Sequence, residues 1–189
     1  MKNNNKTYWN KYYNSKDNNT KPSNFAFFIN KKYIKKDTYL LDVGAGDGRD
    51  SFYFRNKAKH VYSIDQSNIV IKKNRLKAKR LGLKKISFRN LSSNKLKKIA
   101  NKKINFIYAR FFIHAINEAE EDIFLKSIKK SFNQKILVSF EFRTIKDTLM
   151  NKGKKLSKYE RLTDHYRRFI DIKKFEKNLK IMNFKILYK

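Results

Sequence analysis

The chain has no cysteine, one proline, only five glycines and no long apolar run. Without cysteine there is no disulfide framework, no thiolate zinc site, no iron–sulfur cluster and no thiol nucleophile. The longest unbroken apolar stretch, Phe25 to Ile29, is far shorter than the roughly 18–20 residues that cross a bilayer. The opening Met1-Lys2-Asn3-Asn4-Asn5-Lys6 lacks the apolar stretch of a secretory signal. A cytoplasmic protein with no membrane partner is expected, and no compact His/Asp/Glu set suggests a metal.

Carboxylates are scarce too: 16 Asp plus Glu stand against 47 Lys plus Arg, a formal net charge of +31. Taken alone, such an excess points to nucleic acid. Lysine, however, is missing from residues 37–56, 60–71, 104–125, 136–145 and 159–172 and crowded between them. That is the distribution of a default surface residue in a chain rich in Asn, Ile and Lys, so only weak, non-specific nucleic-acid association is expected. Arginine behaves differently. Arg49, Arg55, Arg110, Arg143, Arg161, Arg167 and Arg168 all lie inside the lysine-free windows, where a planar, bidentate cation has been preferred over a point charge.

What is present suits a folded domain. The 189 residues are 40% hydrophobic and 15% aromatic, enough for one core. Residues 1–189 read as a single domain, with residues 1–22 a partly mobile segment around the aromatic run Tyr8–Tyr13. Strand-length apolar runs fall at Tyr39–Val43, His60–Ile64, Ile86–Phe88, Ile104–Ala109, Ile136–Phe140 and Phe184–Tyr188. Helical patterns lie between and around them: one opening at Ser23-Asn24, then residues 67–81, 118–132 and 171–182. Alternation of this kind predicts an α/β fold, a doubly wound and mostly parallel sheet with helices on both faces. Ligands of such sheets collect at the carboxyl ends of the strands.

Three of the five glycines fall in Asp42-Val43-Gly44-Ala45-Gly46-Asp47-Gly48, where a strand runs into a helix. Glycine there lets the backbone turn tightly and lets a ligand approach with no Cβ in the way. The second strand ends at Asp65, 17 residues beyond Gly48, where a carboxylate can accept hydrogen bonds from both hydroxyls of a ribose.

These residues resemble the class I S-adenosylmethionine-dependent methyltransferases, from about Tyr8 to Tyr188. The motif Asp42–Gly48 looks like that family's acidic-x-Gly-x-Gly-x-Gly, and Gly48-Arg49-Asp50-Ser51 is similar to small-molecule members of the tellurite-resistance type. The resemblance implies a Rossmann-like fold and S-adenosylmethionine as cofactor. It places Asp42, Gly44, Ala45, Gly46 and Gly48 along the cofactor, Asp65 on the ribose, Gln66 beside the adenine, and Asn90 where the family usually has an adenine-binding Asp. It brings Arg110 and His114 to the transferred methyl. The chain ends just after its sixth apolar run, so six strands are expected and the family's antiparallel seventh is missing. The stretch from Tyr108 to Ile116 also lacks the Asn/Asp-Pro-Pro-aromatic signature of base N-methylating enzymes.

His114 is a candidate general base. Alternation puts Glu141 and Arg143 on one face of the fifth strand, with Glu141 a second candidate for deprotonation. His165-Tyr166-Arg167-Arg168 form a cluster suited to phosphate, phosphonate or carboxylate. The segment Tyr8–Tyr13 resembles the N-terminal helix that closes over the cofactor in small members of this family, and Trp9 and Tyr13, at i and i+4, can share one face of it. The expectation is methyl transfer to an O or N atom of a small anionic metabolite. The alternatives are an RNA methyltransferase exploiting the basic surface, and a non-catalytic cofactor- or partner-binding relic of the fold.

Overall fold

The near-continuous apolar run Tyr39-Leu40-Leu41-Asp42-Val43, buried at four of its five positions, builds the strand around which the molecule is organised. In the computed structural model, which describes residues 2–15, 21–100, 103–132 and 135–189, this strand is β1. Four further parallel strands flank it: β2 (His60–Asp65), β3 (Ile86–Asn90), β4 (Phe106–Arg110) and β5 (Leu137–Glu141), in the spatial order β3-β2-β1-β4-β5. Leu41 lies opposite Tyr62 and Ile107, and Asp42 opposite Ser63 and Tyr108.

Because side chains alternate across a pleated strand, β1 feeds two cores. Leu41 and Val43 join Ile64, Ile107 and Ala109 on one face. There they pack under Phe124, Leu125 and Ile128 of α5 (Glu118–Ser131) and Phe175 and Leu179 of α6 (Ile172–Ile181). Leu40 goes the other way with Val61, Phe106 and Tyr108. That face is covered by Ala26 and Ile29 of α2 (Asn24–Lys32), Phe54 of α3 (Arg49–Phe54), and Val70 and Ile71 of α4 (Asn68–Arg80). The helices begin where the sequence offers caps. The Ser23 hydroxyl accepts from the Ala26 N–H at 3.0 Å, and Asn117 and Glu120 form a reciprocal capping box.

The N-terminal segment expected to be mobile is a helix over Lys2–Ser15, α1, while residues 16–20 lie outside the described residues. Helix α1 is fastened to the body: the Ser67 hydroxyl donates to Asn10 Oδ1 at 2.7 Å, and Lys73 Nζ donates to the Tyr13 carbonyl at 2.5 Å.

The expected sixth strand is a correction. Residues 184–188 form no strand; Phe184 and Ile186 pack against the core, and the Phe184 N–H donates to the Leu179 carbonyl. The place beside the continuation of β5 is taken instead by the chain entering α6. Ile170 N–H donates to the Arg143 carbonyl at 2.9 Å, and Ile145 N–H to the Ile170 carbonyl at 3.1 Å. Between β5 and α6 the chain also makes a small antiparallel sheet, β6 (Lys154–Lys155), β7 (Glu160–Leu162) and β8 (Tyr166–Arg168). Its strands are too short to leave a periodic signal.

Two arginines hold this small sheet. Arg161, only 9% exposed, donates to the carbonyls of Met150, Ser157 and Glu160. Arg168 pairs with the buried Glu121 carboxylate of α5 and donates to the Ile116 carbonyl at 3.0 Å. Removing one partner of a buried pair strands the other charge. Arg168→Met should therefore cost about 3–5 kcal/mol in urea denaturation, with much of it restored in Arg168→Met/Glu121→Leu. A single-variant loss below about 1 kcal/mol would show that the pair does not anchor the sheet.

Candidate active site

The carboxyl ends of β1, β2 and β4 open into a cleft of about 670 Å³. The turn after β1 crosses its base. Gly44 N–H and Ala45 N–H both donate to the Ile64 carbonyl, at 2.9 and 3.1 Å, and Gly46 N–H donates to Asp65 Oδ2 at 3.0 Å. Gly46 has φ +53°, and a Cβ there would lie 2.4 Å from the Tyr13 hydroxyl. Both the left-handed turn and the approach of α1 therefore require glycine. Gly48, at φ +74°, starts α3 and faces Asn74, Phe52 and Phe88. It shapes the turn and does not line the cleft, contrary to the expectation of a cofactor contact.

Asp65 is buried. Its two oxygens accept from Gly46 N–H and Ser67 N–H, the latter at 2.8 Å. Burial raises its pKa, opposed by these backbone donors and by that of Gln66, and a carboxylate has four acceptor sites, more than these donors fill. Gln66 lines the cleft beside it. Asn90 does not. Its amide donates to the carbonyls of Asp65 and Gln66 at 3.0 and 2.9 Å, so it braces the end of β2, and the wall beyond Gln66 is built by Leu91, Ser92, Ser93 and Asn94. Sequence reasoning stopped just short of those residues.

Beneath the turn, Asp42 Oδ2 accepts from the Ser51 hydroxyl at 2.5 Å, and Ser51 Oγ accepts from the Ser63 hydroxyl at 2.8 Å. Burial pushes the Asp42 carboxyl up to about 8, against the effect of Ser51. Asp50, which also lines the cleft, accepts from Ser23 N–H at 2.7 Å, from the Ser23 hydroxyl at 2.8 Å and from the Tyr108 hydroxyl at 2.8 Å. This knot joins α2, α3 and β4. Nothing in the sequence pattern signals it, because its members are spread from position 23 to 108.

At the other end of the cleft, Arg110 Nε and Glu141 Oε2 are 2.5 Å apart. Burial raises the Glu141 pKa, and Arg110 opposes the shift. Phe111 holds a left-handed φ of +53°, a strained state for a bulky residue. Its ring lies 4.1 Å from the Arg110 guanidinium and 5.4 Å from that of Arg143. Arg143 also pairs with Asp147 at 2.7 Å.

His114 is buried, and its Nδ1 accepts from the Arg143 N–H at 3.1 Å. That bond assigns the proton to Nε2, so the ring offers a donor and no outward lone pair. Burial, reinforced by Arg143, His165 and Arg167, holds its pKa down at about 3. This geometry does not support the general-base role expected for His114.

The remaining expected substrate residues divide in two. His165 packs against the rings of Tyr8 and Trp9, at 4.8 and 4.9 Å, beside Asp164, which accepts from both Tyr8 and Arg167 at 2.7 Å. His165 and Arg167 thus stand next to α1 and near His114 and Arg143. Tyr166 and Arg168 do not: Tyr166 donates to Glu160, and Arg168 is held by Glu121. Helix α1 contributes Trp9, Tyr12 and Tyr13 to the cleft. Among the described residues no group of three or more His, Asp or Glu is placed to hold a metal, and no helix is long and apolar enough to cross a membrane.

A family model described as a methyltransferase domain matches residues 34–182. The chain belongs to the methyltransferase domain family. No curated protein sequence matches it. Among solved structures, phosphoethanolamine N-methyltransferase 1 of Haemonchus contortus, in complex with phosphoethanolamine and S-adenosylhomocysteine, superposes with TM-score 0.72 at 16% identity. The match covers 95% of this chain and 40% of that one. An S-adenosylmethionine-dependent methyltransferase from Clostridium acetobutylicum gives 0.69 at 14% identity, covering 96% and 82%. The YcgJ protein of Bacillus subtilis gives 0.55 at 14%, covering 62% and 49%. The chain thus spans half or less of the Haemonchus and YcgJ proteins, and at these identities the likeness establishes the fold of this methyltransferase domain. S-adenosylmethionine fits the cleft found here: a turn that leaves no room for a Cβ, and a buried carboxylate that lines the cleft at the end of β2.

The Asp42 carboxyl generates a pH prediction. A folded pKa of about 8, above the ordinary 3.8, means that its contribution to stability is full below about pH 4 and is lost as pH rises toward 8. Urea denaturation at about pH 5 and about pH 8 should show the wild type losing more stability across the interval than Asp42→Asn. Parallel losses would contradict the buried, protonated carboxyl.

Proposed function

We propose that this chain is an S-adenosylmethionine-dependent methyltransferase that moves a methyl group to an oxygen or nitrogen of a small anionic metabolite. A cytoplasmic setting and kinship with the small-molecule, tellurite-resistance type belong to the same proposal. The observation that carries the substrate half is the convergence of the Arg110 and Arg143 guanidiniums on Phe111: Arg110 and Phe111 line the β4 end of the cleft, and Arg143 reaches the same ring from outside the lining. Arginine forks suit carboxylate and phosphate, and the Haemonchus structural neighbour holds phosphoethanolamine, a small substrate with such a group.

Bound in the cleft, S-adenosylmethionine supplies an electrophilic methyl. In this reading Asp65 accepts hydrogen bonds from its ribose, Gly44, Ala45 and Gly46 let the backbone approach it, and Gln66 lies at the adenine. Trp9, Tyr12 and Tyr13 exclude water. Most of the acceleration comes from holding donor and acceptor in line. Glu141, with its raised pKa, is the group best suited to take a proton from the acceptor, while His114 accepts from the Arg143 N–H through Nδ1 and positions that backbone.

An RNA substrate is the rival, and the cleft disfavours it. Asp47, Asp50, Asp65 and Glu120 line it with Arg49 and Arg110, and among the described residues no lysine does. An electronegative cleft repels a polyanion, whereas a small anion needs only the arginine end. A non-catalytic relic would have little reason to keep a strained Phe111.

Incubation with radiolabelled S-adenosylmethionine against separated metabolite and RNA pools decides among these. The proposal expects label in a small anionic product; label in RNA, or none in either pool, contradicts it. With that substrate in hand, Arg143→Lys should raise its KM about tenfold or more with little change in kcat, because the charge is kept and the fork is lost. An unchanged KM would remove Arg143 from the substrate site.

A further inference from the structure

Between Gln66 and Asn117 the chain contains no aspartate and no glutamate. This stretch spans α4, the edge strand β3, the Ser93–Ile99 turn and β4, so its outward part forms one side of the molecule. On α4, Lys72, Arg75, Leu76, Lys79 and Arg80 are all exposed, and their i, i+3, i+4, i+7, i+8 spacing makes them a single helical stripe. Lys84 and Lys85 continue it into β3, and the exposed Arg89 donates to the Lys98 carbonyl at 3.0 Å, joining β3 to the exposed lysines of the 93–99 turn.

No carboxylate within this stretch is available to neutralise these cations. Among the described residues, every salt bridge lies outside this side. Arg143, Arg167, Arg168, Lys174 and Lys189 each pair with a carboxylate, and Arg110 pairs with Glu141 at the cleft. On the α4–β3 side the recorded contacts of Lys73, Arg75, Lys77 and Arg89 are to backbone carbonyls or to the Phe52 ring, all neutral. A row of exposed cations with no internal counter-charge attracts a polyanion and releases that polymer's condensed counterions on contact.

We propose that the α4–β3 side, with the 93–99 turn, is a docking face for the phosphodiester backbone of nucleic acid. The proposal is independent of the substrate reading: the turn shares Ser93 and Asn94 with the cleft wall, but the lysines and arginines of this face do not line the cleft. Phe88 of β3 is buried, and no aromatic ring is exposed among the face residues between Lys72 and Lys98. Recognition is therefore by charge without base stacking, with no preference for sequence and little for single strand over duplex. The exposed Leu76 and Leu81 are two isolated apolar groups among many cations, less than a helix needs to insert into a lipid surface.

The test compares equal charge changes on two sides of the full chain. One variant carries Lys79→Glu, Arg80→Glu, Lys84→Glu and Lys85→Glu; the other carries Lys173→Glu, Lys177→Glu, Lys180→Glu and Lys185→Glu, all exposed on or after α6. Fluorescence anisotropy with labelled RNA and duplex DNA of about 20 nucleotides or base pairs gives Kd against salt concentration. The face variant should bind about tenfold or more weakly, and its log–log salt slope should shrink by about two to four, while the α6 variant keeps its slope within about one. Equal losses in both variants would mean that the charge acts globally, and no loss in the face variant would place the contact elsewhere; either result overturns the proposal. Phosphatidylserine vesicles that displace the oligonucleotide at equal phosphate concentration would assign the face to a membrane surface and also overturn it. If the fourfold Glu variant fails to fold, the same four positions changed to Gln carry the comparison, with about half the expected change in slope.

Discussion

The left-handed turn that follows β1 is the constraint on which the site depends. In a few residues the chain must leave the sheet, cross the end of β2 and start α3. It does so by giving three N–H groups to β2: two to the Ile64 carbonyl and one to the Asp65 carboxylate. The other Asp65 oxygen simultaneously accepts from Ser67 at the start of α4. One side chain thereby sets the distance between the glycine turn and the next helix. Asn74 of α4 closes the same loop by donating to the Gly46 carbonyl at 2.8 Å. Because the turn is pinned from two sides, α1 can approach it closely, with Tyr13 over Gly46.

Charge is handled by segregation. The molecule carries +31, yet its buried ionisable groups include a conspicuous set of carboxyl groups, bonded by hydroxyls and backbone N–H groups: Ser51 for Asp42, which burial keeps protonated up to about pH 8, Ser23 and Tyr108 for Asp50, Gly46 and Ser67 for Asp65. Neutral donors stabilise a buried carboxylate without adding a second desolvated charge. The lysines remain outside. Arginines occupy the intermediate places where a cation must be held in a fixed orientation, as Arg161 does with three carbonyls inside the small sheet.

That division explains what could be read from the sequence. Strands β1 to β5 and helices α4 to α6 were legible because each is long enough for its hydrophobic pattern to show; the caps Ser67, Asn117 and Asp171 are seen in the structure. The glycine turn and Asp65 were legible because their roles are local. The expected sixth strand failed because pairing beside β5 is a competition between distant segments, and Ile170 occupies the position next to Arg143. The arginine preference was real, but its meaning was mostly structural: Arg168 finds Glu121 at 47 positions' remove, which no local pattern encodes. His114 was expected at the transferred methyl beside Arg110; its contact with Arg143, and the tautomer that contact sets, depend on a backbone N–H 29 residues away.

The central claim is that Asp65 and the turn it holds form a cofactor site. Isothermal titration of S-adenosylmethionine and S-adenosylhomocysteine into the wild type and Asp65→Ala tests it most directly, with circular dichroism confirming that both proteins are folded. The account predicts micromolar-range binding by the wild type and a loss of about 1.5–3 kcal/mol in the variant, the scale of hydrogen bonds to a charged group. Undiminished binding by a folded Asp65→Ala, or no binding by the wild type, would contradict it.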